Sequence, residues 1–99
     1  MAPDAVSTTP VQYSYIVSEK ALEDLSNRKI IPESIFKTVF LALPKISYGP
    51  TPEYNKEVEP LIEGSNDMFR LKINEQFALH YRVIENEKKF LVFWVGRFN

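Results

Sequence analysis

The chain has 99 residues, 44% hydrophobic and 13% aromatic, with no cysteine, one histidine and a net charge of −1, which fits one domain with a core of its own. Without cysteine there are no disulfides and no thiolate metal sites, and a single histidine leaves a structural zinc site without ligands. No apolar run approaches the ~20 residues needed to span a membrane, and the N-terminus lacks the basic and apolar regions of a secretory signal, so a cytoplasmic location is expected.

Met1 to Gln12 carries no periodic pattern and is expected to form a flexible tail, with the folded domain running over residues 13–99. Tyr13 to Val17 (Y-S-Y-I-V) reads as a first strand. Ser18 is placed to cap a helix with Glu19 in its first turn, and Ala21, Leu22 and Leu25 follow at helical spacing. A helix cap is also the better reading of Ser18 than a nucleophile, since no base and orienting acid accompany it. This helix is expected to end near Arg28 and Lys29. Pro32 then opens a second helix with a stripe of Ile35, Val39, Phe40 and Leu43, broadened by Phe36 and Leu41, and Pro44 is expected to stop it. The two helices form a hairpin whose apolar stripe requires a sheet as partner.

Residues 46–67 hold three prolines and two of the three glycines and form a long connection, in which Leu61 and Ile62 are candidates for one short extended contact. From Pro50 to Asp67 five acids (Glu53, Glu57, Glu59, Glu63, Asp67) face one base, Lys56. From Met68 onward six bases (Arg70, Lys72, Arg82, Lys88, Lys89, Arg97) outnumber three acids (Glu75, Glu85, Glu87). The acidic segment is read as a solvated connection, the alternative being that it folds over the basic face and masks it.

The last third is a three-stranded antiparallel meander, with strands over Met68–Asn74, Phe77–Glu85 and Lys89–Gly96. Period-two alternation puts Phe69, Leu71 and Ile73 on one face and Arg70 and Lys72 on the other. On the next strand Phe77, Leu79, Tyr81 and Val83 oppose Ala78, His80, Arg82 and Ile84. Arg70, Lys72, His80 and Arg82 therefore share the open face. On the last strand both parities are apolar (Leu91, Phe93, Val95 against Phe90, Val92, Trp94), so the pattern leaves its core face open.

Each of these residues has an ordinary reading beside the functional one. His80 is either a structural strand histidine or an acid–base group. Arg82 pairs with Glu75, Glu85 or Glu87, or binds a partner. Phe90, Phe93 and Trp94 are core and sheet surface, with base stacking as the alternative.

The order β-α-α-β-β-β, the strand F-R-L-K-I, a tight turn, F-A-L-H-Y-R-V-I, an acidic turn and F-L-V-F-W-V-G-R together resemble the RelE/ParE toxin superfamily. The opening Y-S-Y-I-V-S-E-K-A-L-E-D-L resembles the start of that family, and the likeness extends from Tyr13 to about Arg97. It implies an α+β fold with an antiparallel sheet and an N-terminal two-helix hairpin on one face. It also implies the toxin of a type II toxin–antitoxin system, of the kind linked to plasmid stabilisation, held by a cognate antitoxin. The target would be ribosome-bound mRNA, cut without metal or cofactor and so inhibiting translation, or DNA gyrase.

In the RNA-cleaving members, cations stabilise charge on the phosphoryl oxygens while protons leave the 2′-oxygen and reach the 5′-oxygen. The family's cation pair falls on Arg70 and Lys72, and its late arginine falls near Arg97, one residue displaced. Its arginine on the middle strand falls on Ala78. The tyrosine that many members place after the late arginine has no counterpart before Asn99. His80 or Arg82, on the face of Ala78, would partly replace the missing cation. The expected site is thus Arg70, Lys72, His80 and Arg97 for catalysis, with Arg70, Lys72, Arg82 and Arg97 binding RNA or a partner. A catalytically degenerate binding protein on the same fold is the competing reading, favoured by Ala78 and by the acidic pI of about 5.8.

Overall fold

The computed structural model describes residues 12–99; the tail expected over 1–12 lies, apart from Gln12, outside them. A five-stranded sheet carries two helices on one face. Strand β1 (Ser14–Val17) leads into helices α1 (Glu19–Leu25) and α2 (Glu33–Tyr48), followed by β2 (Val58–Pro60), β3 (Met68–Lys72), β4 (Phe77–Ile84) and β5 (Lys89–Arg97), in spatial order β1-β5-β4-β3-β2.

Ser18 caps α1 by accepting a hydrogen bond from the Ala21 N–H at 3.1 Å. The helix stops at Leu25, short of Arg28–Lys29, because polar side chains there bond to the backbone instead of continuing the helix. The Ser26 hydroxyl donates to the Leu22 carbonyl, Arg28 donates to the Leu25 carbonyl, and Asn27 accepts from the Lys29 N–H. Ala21 and Leu25 are buried, whereas Leu22 is exposed.

Helix α2 runs through Pro44 rather than ending at it. Pro44 has no N–H to give the Phe40 carbonyl one turn earlier, but both residues are exposed, so water can serve the freed oxygen. The extra turn brings Ile46 into the buried stripe with Ile35, Val39 and Leu43. Phe40 and Leu41 lie outside it, exposed, with Phe40 against Phe36 at a ring separation of 4.9 Å.

The helical stripe packs on Phe69, Leu71, Phe77, Leu79, Tyr81, Val83, Phe90, Val92 and Val95 in one apolar cluster. The buried Tyr81 hydroxyl donates to the Pro50 carbonyl at 2.6 Å, pinning the start of the long connection to the sheet, and burial raises its pKa well above the ordinary phenol value.

The β3-β4-β5 meander is antiparallel, with Asn74 setting its first turn by accepting from the N–H groups of Gln76 and Phe77, each at 2.8 Å. The edge strand β1 lies parallel on β5, so the sheet is mixed rather than antiparallel throughout. The helical hairpin after β1 carries the chain across one face of the sheet to β2 at the opposite edge, from which the antiparallel strands return until β5 lies parallel beside β1.

Two further features differ from the sequence reading. The short extended contact is β2, centred on Glu59 and paired with β3; only Leu61 continues the pairing, through its N–H to the Met68 carbonyl, while Ile62 is exposed. In β5 the register slips beside His80 and Tyr81: His80 faces Trp94, Tyr81 faces Val92, and Phe93 is the extra residue. This bulge lets Phe90 and Val92 face the core before it and Val95 after it, which is why neither parity alone describes the strand.

Candidate functional site on the open sheet face

The face away from the helices holds a row in cross-strand register: Glu59 on β2, Arg70 on β3, His80 on β4 and Trp94 on β5. Alternation in β3 and β4 puts Arg70 and His80 there because Phe69, Leu71, Leu79 and Tyr81 take the core side. Lys72 lies one step along β3 from Arg70, opposite Ala78, which is fully buried between Lys72 and Gly96.

The imidazole of His80 stacks on Trp94 with ring centroids 4.3 Å apart and 28° between the planes. Its Nε2 is buried with no hydrogen-bond partner among the described residues. Burial, and then the neighbouring Arg70 charge, lower its pKa and favour the neutral ring. The indole bends over Gly96, where a Cβ would lie 2.9 Å from Trp94 Cζ2. Glycine is the residue that leaves this space.

The cations of the face are engaged by the acidic connection. Glu59 Oε1 accepts a hydrogen bond from Arg70 Nε at 2.8 Å, with Nη2 of the same guanidinium 2.6 Å away and Lys72 Nζ 3.9 Å from the same oxygen. Arg82 pairs with Asp67 at 3.2 Å and not with Glu75, Glu85 or Glu87. The Val83 N–H bonds to the Asp67 carbonyl, extending the β3-β4 pairing so that Asp67 stands beside Arg82. Glu85 is taken by Lys88 and Tyr13, whose hydrogen bonds, that of Lys88 first, lower its pKa, and Glu87 by Lys89. The connection thus places two of its carboxylates on the basic face, where the sequence reading had it solvated.

Arg97 is not brought to this group. Beyond the bulge it pairs with Phe77, whose side chain is on the helix-bearing side, and its guanidinium lies 5.4 Å from the Phe77 ring. The next residue, Phe98, takes the open side, with Arg70 and Lys72 at 5.5 and 5.4 Å from its ring. The sequence reading missed Phe98; its only signal was a parity that the bulge reverses. A shallow cleft of about 540 Å³ opens there, lined by Lys72, Asn74, Glu75, Phe98 and Asn99. Among the described residues no group of three or more His, Asp or Glu side chains is placed to hold a metal ion, and no helix is long and apolar enough to cross a membrane.

The face therefore offers two adjacent cations, a neutral imidazole, an indole and a phenyl ring. This set can hold a phosphate and stack bases.

No protein-family model and no curated protein matches the sequence. Solved structures do match. A chain of the intact E. coli RelBE toxin–antitoxin complex superposes with a TM-score of 0.68 at 22% identity, over 88% of this chain and 98% of that one. The archaeal RelE–RelB complex from Pyrococcus horikoshii OT3 gives 0.68 at 17%, over 87% and 94%. The YoeB/ParE toxin from Agrobacterium tumefaciens gives 0.69 at 13%, over 87% and 99%. With the mixed five-stranded sheet, the helical hairpin on one face and these superpositions, the chain has the RelE-like toxin fold.

Proposed function

We propose that this chain is the toxin of a toxin–antitoxin pair and that its open sheet face receives the backbone of an RNA, as a ribosome-dependent mRNA endoribonuclease in the cytoplasm. The observation that carries the reading is the Arg70–His80–Trp94 row with Lys72 beside it, on the RelE-like fold. The partner is a cognate antitoxin segment, the kind of chain found with RelE in the structurally similar complexes.

In this reading Arg70 and Lys72 hold the non-bridging oxygens of the scissile phosphodiester. The 2′-oxygen attacks phosphorus and loses its proton, the P–O5′ bond breaks, and the 5′-oxygen takes a proton. The products are a 2′,3′-cyclic phosphate and a 5′-hydroxyl. His80, favoured neutral, is suited to accept a proton rather than donate one.

A second reading is a degenerate binding protein that acts by occupying its target, gyrase among the candidates. It is favoured by the buried Ala78 in place of a cation and by Arg97 on the other side of the sheet.

The test is inducible expression in bacteria with mapping of mRNA 5′ ends, beside an Arg70→Ala/Lys72→Ala double variant. Growth arrest with new codon-phased cuts, both lost in the variant, is the expected result. Intact message in cells making soluble, folded protein would overturn the nuclease reading in favour of the second.

A further inference from the structure

We propose that Glu59 is an internal occupant of the phosphate site, so that β2 carries a carboxylate gate which the RNA backbone must displace. The inference rests on the reading above, that the open face receives RNA. One carboxylate oxygen sits against both cations, 2.6 Å from Arg70 Nη2, 2.8 Å from Arg70 Nε and 3.9 Å from Lys72 Nζ. A non-bridging oxygen of a phosphodiester, with the same single charge, would take these contacts.

The gate is built to move alone. Val58 is buried and β2 is held to β3 through its backbone, so the strand stays when the Glu59 side chain leaves. The carboxylate itself is 43% exposed and has solvent to swing into. Beside it, the cleft lined by Lys72, Asn74 and Phe98 gives a flanking nucleotide room next to the phosphate. Three of the other ion pairs, Lys20–Asp24, Lys88–Glu85 and Lys89–Glu87, join residues two to four apart in the chain, and Asp67, the second carboxylate of the connection on this face, pairs with one cation, Arg82. Among the described residues, Glu59 is the carboxylate that draws two cations of the open face, from a separate strand.

Exchange of one anion for another has two consequences. Binding is weakened by the cost of releasing Glu59, and fewer counterions are set free, because the cations are already neutralised.

The experiment is fluorescence anisotropy of a labelled single-stranded oligoribonucleotide over a salt series. It compares the wild type with Glu59→Gln, Glu59→Ser, Glu63→Gln, the Arg70→Ala/Lys72→Ala double variant and the triple variant that adds Glu59→Gln, each checked for folding by thermal melting. Glu59→Gln is expected to bind about tenfold tighter, the scale of one charged hydrogen bond, with a log–log salt slope steeper by about 0.7. Glu59→Ser should follow it. Glu63→Gln removes the same charge from an exposed position on the connection and should leave affinity unchanged. Without the two cations, Glu59→Gln should have no effect. If Glu59→Gln binds no tighter than wild type, or Glu63→Gln gains as much, while the double variant still loses RNA, the gate is refuted and the RNA site stands. Wild-type binding in the double variant, or no RNA binding by any variant, refutes the site and the gate together.

Discussion

His80 stacks on Trp94 at 4.3 Å while its Nε2 is buried without a hydrogen-bond partner among the described residues. Burial, reinforced by Arg70, lowers its pKa from the ordinary 6.5, so the unfolded chain binds this proton more readily than the folded one. Stability from His80 is therefore fully present above about pH 6.5 and is lost as pH falls toward the lowered folded value. The wild type should lose melting temperature between about pH 7 and pH 5 more steeply than His80→Phe, which keeps an aromatic partner for Trp94. Parallel curves would show that the imidazole carries no folding-linked proton.

Gly96 offers a second handle on the same stack. An alanine Cβ there would lie 2.9 Å from Trp94 Cζ2 and 3.3 Å from Cε2 and Cη2, so the indole must shift. Gly96→Ala should cost about 1–3 kcal/mol in urea denaturation, the usual scale of overpacking. Because Trp94 is the one tryptophan, its emission reports the shift directly, and a move to longer wavelength is expected. Unchanged emission and stability would mean that the ring lies freely over the glycine.

The faces of β3 and β4 were legible because Phe69, Leu71, Phe77, Leu79, Tyr81 and Val83 on one parity alternate with Arg70, Lys72, His80 and Arg82 on the other, and the Ser18 cap follows a local rule. Arg70, Lys72 and His80 were placed on the open face by that parity alone. The bulge at Phe93 made β5 illegible and moved Arg97 away from its expected neighbours, since one extra residue exchanges the faces beyond it. Strand β2 was expected at Leu61 and Ile62, a few residues beyond its place at Val58–Pro60, because backbone pairing with β3 defines it, not an apolar pattern of its own. The Glu59–Arg70 contact depends on the register of two strands eleven residues apart, which no local spacing encodes.

Pro44 sits inside α2 with the Phe40 carbonyl left without its usual donor. Pro44→Ala restores the N–H at an exposed position where nothing is repacked. A proline interior to a helix is less favourable than alanine by about 3 kcal/mol, partly offset by the freedom proline removes from the unfolded chain. A gain of about 1–2 kcal/mol is expected in urea denaturation. A loss would show that the proline ring makes packing contacts that alanine does not replace.

Arg97 separates the geometric site from the one expected from resemblance. It pairs with Phe77 on the helix-bearing side, whereas Phe98 stands beside Arg70 and Lys72. In oligoribonucleotide binding, Arg97→Ala should leave the affinity within about twofold of wild type, as expected for an exposed cation remote from the phosphate. Phe98→Ala removes the ring that backs both cations and walls the adjacent cleft. It should weaken binding about five- to tenfold, the lower end of a base–aromatic contact, with little change in salt slope because no charge is lost. If Arg97→Ala lost as much affinity as Lys72→Ala, with a matching fall in slope, Arg97 would have to reach around the strand end to the RNA. The site would then extend over the edge of β5 rather than lie on the open face alone.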